Sequence, residues 1–296
     1  MRLLLPAALI CAAAHAAMQV VILGTGTPLA NPDRSGPAVA VIYNGQAYLF
    51  DAGPGVVRRA AAASGKHDLA ALKPPQLRRA FLTHLHSDHT LGLPDLIFSP
   101  WVLGRKEPLE LYGPPGTKAM VNHIEAAWRE DIDVRTKGLE RGNKTGYRVQ
   151  VHEIKTGVIF RDGELKVTAF PMRHGAWAYP FGYRIDTPDR SIVISGDGTL
   201  SPALIEAAKG CDVLLHEVYS EQVLDHGRKD DATWAKYLRQ VHTSTAQLAE
   251  IANQTHPKLL VLYHQIYYGP TDAELLEEIR RAYHGPVASA HDLDIY

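Results

Sequence analysis

The chain has 296 residues, 46% of them apolar, and a formal net charge of -1. Length and apolar fraction suffice for a sizeable core within one α/β domain. The near-balance of charge argues against a nucleic-acid or other polyanionic partner, because there is no overall basic field to attract one.

The amino terminus, MRLLLPAALICAAAHA, carries one basic residue at Arg2, a short apolar run and a small-x-small motif at Ala14-His15-Ala16. This is the pattern of a secretory signal occupying residues 1–16. The apolar run falls short of the roughly 20 residues needed to cross a bilayer. Ile10 before Cys11 disfavours a lipid-attachment site, so no membrane anchor is expected after cleavage. Residues 17–296 then form a single domain, periplasmic or secreted. Cys211 is the one cysteine left, an inert core thiol with no intramolecular partner.

Next come two strands, MQVVILG and AVAVIYNGQAYLFDAG, the second broken by the Asn44-Gly45 hairpin signal. GVVRRAAAASG reads as a helix ended by Gly65. Further strands are expected at RRAFLTH, LELYG, RVQVHEI, LKVTAFPMRH, FGYRID, SIVISGD, DVLLHEV and KLLVLYH. Helices fit GTKAMVNHIEAAWRED, SPALIEAAKG, TSTAQLAEIANQ and TDAELLEEIRRAYHG. There is no repeat and no linker rich enough to divide the chain.

Four of these strands terminate in a candidate metal ligand: His84, His174, Asp197 and His264. In open α/β sheets, ligand sites lie off the carboxyl ends of strands, where loops converge. The stretch THLHSDHT adds His86, Asp88 and His89. His84 and His86, two apart at a strand end, face the same way. Asp88 and His89 need a tight turn through Ser87 to swing back towards a second point. The spacing therefore suggests two metal ions. Zinc takes imidazole nitrogen and carboxylate oxygen readily, and manganese or iron(II) are alternatives.

THLHSDH, RHG, SGDG and LYHQ, with LFDAGPG and GTGTP before them, resemble the motifs of the metallo-β-lactamase superfamily, from about Met18 to Tyr296. Within it the chain looks closest to the ribonuclease Z-like branch, which includes secreted arylsulfatase-type enzymes. VHTSTAQLAEIA is similar to that branch's His-[Ser/Thr] motif. The resemblance implies an αββα sandwich of two mixed β-sheets flanked by helices. It also implies one zinc ion on His84, His86 and His174, a second on Asp88, His89 and His264, and Asp197 bridging both. Asp51 matches a carboxylate that orients a ligand histidine. His242 matches a histidine that binds no metal and lies near the leaving group, and Glu217 in LLHEVYS is an additional candidate to orient it.

In such a site a hydroxide shared by the ions attacks an ester centre, Asp88 orients it and collects its proton, and His242 serves the leaving oxygen. Departures from the family narrow the choice. True β-lactamases of the superfamily commonly have cysteine where this chain has Asp197. Bacterial ribonuclease Z carries a tRNA-gripping arm between the third histidine motif and the bridging aspartate, and here GAWAYPFGYRIDTPDRSIVISG leaves no room for it. RTKGLERGNKTGYR, with Arg135, Lys137, Arg141, Lys144 and Arg148, reads as a solvated polar loop, with a mobile lid as the alternative. Trp177, Tyr179, Phe181 and Tyr183 read as alternating core aromatics, with an aryl-lined pocket as the alternative; Tyr267 and Tyr268 carry the same ambiguity.

The resulting expectation is an exported dinuclear zinc hydrolase of small sulfate or phosphate esters, of arylsulfatase or phosphodiesterase type. Its partner would be a small-molecule ester substrate, with no nucleic acid and with homodimerisation left open. The alternatives are a lactonase or β-lactamase-like hydrolase, a ribonuclease Z-type nuclease and a zinc-binding protein without catalysis.

Overall fold

A computed structural model describes residues 18–222, 232–267 and 271–296. The expected leader at 1–16, with Cys11, lies outside the described residues, as does Tyr268. The first sheet has the order β1 (Gln19–Gly24), β2 (Ala38–Tyr43), β3 (Gln46–Phe50), β4 (Arg79–Phe81), β5 (Leu109–Gly113) and β6 (Val149–Glu153). β1 to β3 pair antiparallel, and β3 to β6 pair parallel. The second sheet runs β13 (Val287–Ser289), β12 (Leu259–Ile266), β11 (Val213–Tyr219), β10 (Ser191–Ile194), β9 (Phe181–Asp186), β8 (Leu165–Pro171) and β7 (Gly157–Asp162). β10 to β13 are parallel and β7 to β10 antiparallel.

The two-residue period of the strands builds the layers. Val20 and Ile22 of β1 face the second sheet, where they meet a core that includes Phe81, Val167, Tyr183 and Val261. Val21 and Leu23 face outward onto α1 (Val56–His67) and α3 (Leu93–Val102). The outer face of the second sheet packs on α6 (Pro202–Ala208), α8 (Thr245–Thr255) and α9 (Asp272–Arg280) through Val193, Leu214, Leu248 and Leu275. The layers are helix, sheet, sheet, helix, as expected. Cys211 is buried in the outermost of these cores, and burial pushes its thiol up to about 12.

Several elements differ from the sequence reading for local reasons. Asn44 (φ 48°) and Gly45 (φ 71°) make the expected two-residue hairpin turn, both in the left-handed region that such turns require. α1 runs through Gly65 to His67, and Asp68 at φ 53° ends it instead, returning its N–H to the Ser64 carbonyl. The single helix expected from 116 breaks at Trp128 into α4 (Thr117–Ala127) and α5 (Arg129–Lys137), so Arg135 and Lys137 are helical. The short β7 and β13 and the helix α7 (Ala232–Val241) were not foreseen.

One buried cation ties the first helical layer together. Pro100 lies inside α3 and cannot donate to the Leu96 carbonyl. The Arg105 guanidinium takes that carbonyl (3.0 Å), together with those of Ile97 (2.7 Å), Leu77 (2.8 Å) and Gly146 (3.0 Å). Burial lowers its pKa only to about 10, so it stays charged. Arg105→Met removes these donors and strands buried carbonyls, which should cost about 2–4 kcal/mol. Urea denaturation of the purified variant measures the loss; a midpoint equal to the parent's would show that the carbonyls find other donors.

Candidate metal centre

The site forms along the edge where the carboxyl ends of β3 and β4 meet those of β8, β10, β11 and β12. Asp51, just past β3, is left-handed at φ 63°, a region that Asp tolerates better than most residues. Its buried carboxylate accepts the backbone N–H of Thr83 at 2.8 Å and the Thr83 hydroxyl at 2.9 Å. It also accepts Nδ1–H of His89 at 2.8 Å. The Thr83 hydroxyl gives its proton to Asp51, so its oxygen accepts from Nδ1 of His84 at 3.0 Å. One carboxylate thereby sets the tautomers of two histidines and turns Nε2 of each inward. The short helix α2 (Ser87–Thr90), with His86 at its N-cap, provides the turn that brings Asp88 and His89 back.

The second sheet supplies the rest. His174 donates Nδ1–H to the Val241 carbonyl at 2.9 Å, which aims its Nε2 inward as well. Gly196 (φ 62°) lets the loop carrying Asp197 press onto β4: a Cβ there would sit 2.8 Å from the Thr83 Cβ. On β12, Tyr263 and His264 together oppose Glu217 alone, because pairing jumps from His216↔Leu262 to Val218↔Gln265. This bulge, with His264 at φ 45°, re-aims a side chain that strict alternation would send to the helix side of the sheet.

The donors gather into two groups, His84, His86, His174 and Asp197 in one and Asp88, His89 and His264 in the other, the donor atoms of each group lying within 4.8 Å of one another. Nδ1 of His86 lies 2.9 Å from Nε2 of His84 and 3.1 Å from Nε2 of His174. Asp197 stands between the groups. Its Oδ2 is 4.0 Å from His84 and His174 and 3.5 Å from His264, and its Oδ1 is 3.4 Å from His89. Oδ2 of Asp88 is 3.2 Å from His264 and 3.5 Å from His89.

Two observations test whether these residues suit a cation. Nε2 of His89 and Oδ1 of Asp197 are buried and make no hydrogen bond, a costly arrangement unless something else takes those lone pairs. The field agrees. Burial holds His84 well below the ordinary imidazole range and takes His86 down to about 4. Burial would lower His89 and His264 too, but Asp197 with Asp51 carries His89 well above that range, and Asp197 with Asp88 carries His264 up to about 9. The second group thus calls for positive charge at its centre. Imidazole and carboxylate donors in this number fit a divalent ion such as zinc.

Beside the donors lies a second buried pair. Nδ1 of His242 is 2.9 and 3.0 Å from the two oxygens of Glu217, and Oε1 of Glu217 also accepts the Gly198 N–H at 2.9 Å. A cavity of about 320 Å³ opens over Asp88, Asp197, His242 and His264 and is walled by Trp234, Tyr237 and Leu238 of α7. That helix was absent from the sequence reading, although Trp234, Tyr237, Leu238 and Val241 recur at helical spacing in ATWAKYLRQV.

The other sequence candidates divide. Phe181 and Tyr183 are core residues, as alternation implied, whereas Trp177 and Tyr179 stand 37% and 55% exposed on the loop after His174. The basic segment is no lid: its loop leads into the amino end of β6, held to Arg105 and Lys106 before β5, and the metal donors lie at the opposite ends of these parallel strands. The hydroxyl of Tyr267 donates to Asp272, beside the Arg34 guanidinium, and faces no part of the cavity lining.

Comparison with known proteins follows the same lines. The model of the β-lactamase superfamily domain matches residues 46–265. Ribonuclease Z of Mycobacterium marinum is 32% identical over 254 residues, 84% of this chain and 86% of that one. Ribonuclease Z of Mycobacterium avium is 33% identical over 257 residues, with the same coverage. The fold is shared with the metallo-β-lactamase fold protein YhfI of Bacillus subtilis (TM-score 0.71, 17% identity, 94% of this chain and 99% of that one). It is also shared with the short form of human tRNase Z (TM-score 0.67, 23% identity, 94% and 98%). A fold of two mixed sheets with a histidine–aspartate centre at their common edge defines a metal-dependent hydrolase. The chain belongs to the metallo-β-lactamase superfamily, as a ribonuclease Z-like member.

These relatives overturn two expectations: the exported hydrolase of small sulfate or phosphate esters, and a small-molecule ester substrate with nucleic acid excluded. The alternative of a ribonuclease Z-type nuclease fits the relatives better. The segment between His174 and Asp197 is indeed a loop and two strands. Its shortness does not outweigh 32% identity to a ribonuclease Z over 84% of this chain and 86% of that one. Nor does a net charge near zero, since a balanced total leaves room for local basic surfaces.

The Thr83 hydroxyl can be removed with little change of shape. Thr83→Val should leave the fold intact, release the His84 tautomer and weaken metal binding by roughly 10–100-fold. Competition with a chromophoric chelator measures this, and unchanged affinity would show that His84 is oriented by something else.

Proposed function

We propose that this chain is a ribonuclease Z-type endonuclease that hydrolyses a phosphodiester bond of RNA, with precursor tRNA as the first substrate to test. The observation that carries the reading is the 32% identity to ribonuclease Z over most of both chains. The site supplies chemistry that suits it. His84, His86 and His174 would hold one zinc ion and Asp88, His89 and His264 a second, with Asp197 reaching both. Ions bound there supply charge neutralisation at phosphate oxygens and water that ionises near neutral pH.

The chain's own groups manage the protons. Asp88, on the cavity wall and facing His89 and His264, orients the attacking water and takes its proton. Glu217 and His242 serve the leaving oxygen. Burial and Asp197 push Glu217 well above the usual carboxylate range and burial takes His242 down to about 4, and both directions favour the uncharged pair over an ion pair. The uncharged pair has one favourable arrangement in this contact. Glu217 donates its O–H to Nδ1, and Nε2 carries its N–H towards the cavity. As the P–O bond to the leaving oxygen breaks, Nε2–H goes to that oxygen and the Glu217 proton moves to Nδ1. The charge ends on Glu217, where the Gly198 N–H awaits it.

With zinc restored, the protein should release the 3′ trailer of precursor tRNA, and a chelator should stop it. His242→Ala should keep its metal while kcat falls by ~10² to 10⁴. Absence of RNA cleavage by the metal-loaded protein would refute the nuclease reading, and loss of metal from His242→Ala would refute the role given to His242.

A further inference from the structure

A second cavity, of about 510 Å³, adjoins the first and shares His86 and Tyr237 with it. Its walls include two aromatic rings from different parts of the chain. Trp177, on the loop after His174, donates its indole N–H to Nε2 of His86 at 2.8 Å and stands edge-on to the His86 ring at 5.0 Å. Tyr237, on α7, stacks on Trp234 at 5.5 Å and meets the His242 ring edge-on at 5.8 Å. Both rings keep more than a third of their surface exposed, 37% and 38%. The floor between them is His174, Gly175, Ala176 and Val241, and no Asp, Glu, Lys or Arg lines the slot.

We propose that this slot holds the base of a nucleotide flanking the scissile phosphate, stacked on Trp177 and Tyr237; the inference rests on the nuclease reading above. Each wall is attached to a side chain of the reacting centre, Trp177 to His86 and Tyr237 to His242. A base seated there places its own phosphate over Asp88 and Asp197. Among the described residues lining the two cavities there is no lysine or arginine. Arg34, in the neighbouring hollow on the Ser87 side, is committed to Asp272, Gln265 and Thr25. Close to the cleaved bond the chain thus offers ring faces and not cations, so hold on the flanking nucleotide comes from its base. Stacking of this kind accepts any base.

The test compares precursor tRNA with versions bearing one abasic residue on either side of the cleaved bond. For the zinc-loaded parent, kcat/KM should fall on the order of 10-fold or more at one of those positions. Trp177→Phe keeps a ring and should keep most of that ratio, whereas Trp177→Leu should bring it close to one, whatever its absolute rate. A role confined to supporting His86 would slow both substrates alike and leave the ratio intact. Fluorescence anisotropy of the parent with labelled strands, base-bearing and abasic, measures the same preference without variants or turnover. Preferential binding without cleavage would retire the nuclease reading and keep the slot. Cleavage with indifference to the base at both positions, or a Leu variant that keeps the full ratio, would retire the slot and keep the nuclease.

Discussion

The Asp51 carboxylate carries the metal centre on three hydrogen bonds. It sits in a strained left-handed conformation where β3 ends, holds the Thr83 N–H on Oδ1 and both the Thr83 hydroxyl and His89 on Oδ2, and through that hydroxyl sets His84. His84 belongs to one donor group and His89 to the other. One histidine of each group therefore takes its orientation from one buried side chain. Buried charge is expensive unless every lone pair has a partner, and here the partners are the parts of the site that need fixing.

The second sheet contributes by departing from regularity at the places where its strands reach that carboxylate's surroundings. Gly196 permits contact with Thr83, and the bulge at Tyr263 and His264 turns an imidazole out of the outer core and into the site. Asp197, inserted by the first of these, is the only side chain whose two oxygens face both groups among the described residues. A symmetric pair of sheets would supply walls; these two local exceptions supply the meeting point.

Charge acts locally in this protein. The total is close to neutral, yet carboxylates around His89 and His264 create a pocket that favours a cation, and beside it burial pushes Glu217 up and His242 down. One region favours a cation, and the adjoining one disfavours charge on either partner of the Glu217–His242 pair. Net charge sums over the whole surface and does not report these local fields, so a near-neutral total carries no weight against a polyanionic substrate.

The sequence by itself determined most of the strands and helices and the cluster of donors, and its motifs implied the layered fold through their resemblance to a known family. Apolar alternation and the density of histidine and aspartate at strand ends are local signals, readable within a few residues. Asp51, His84, His86, Asp88, His89, His174, Asp197 and His264 lie together in space as their spacing and the family resemblance implied, and Glu217 touches His242. What only the tertiary structure decided depends on contacts between distant segments. The His264 bulge arises from pairing with β11, and α7 forms where its apolar face can close the cavity. Trp177 and Phe181 alternate on one stretch, yet one reaches the surface and the other the core, because the strand begins only at Phe181. The basic segment at 135–148 is polar and glycine-rich wherever it stands; only the parallel direction of β5 and β6 sends it to the end away from the metals. Local pattern says what a residue is suited to do, and chain direction and pairing say where it does it.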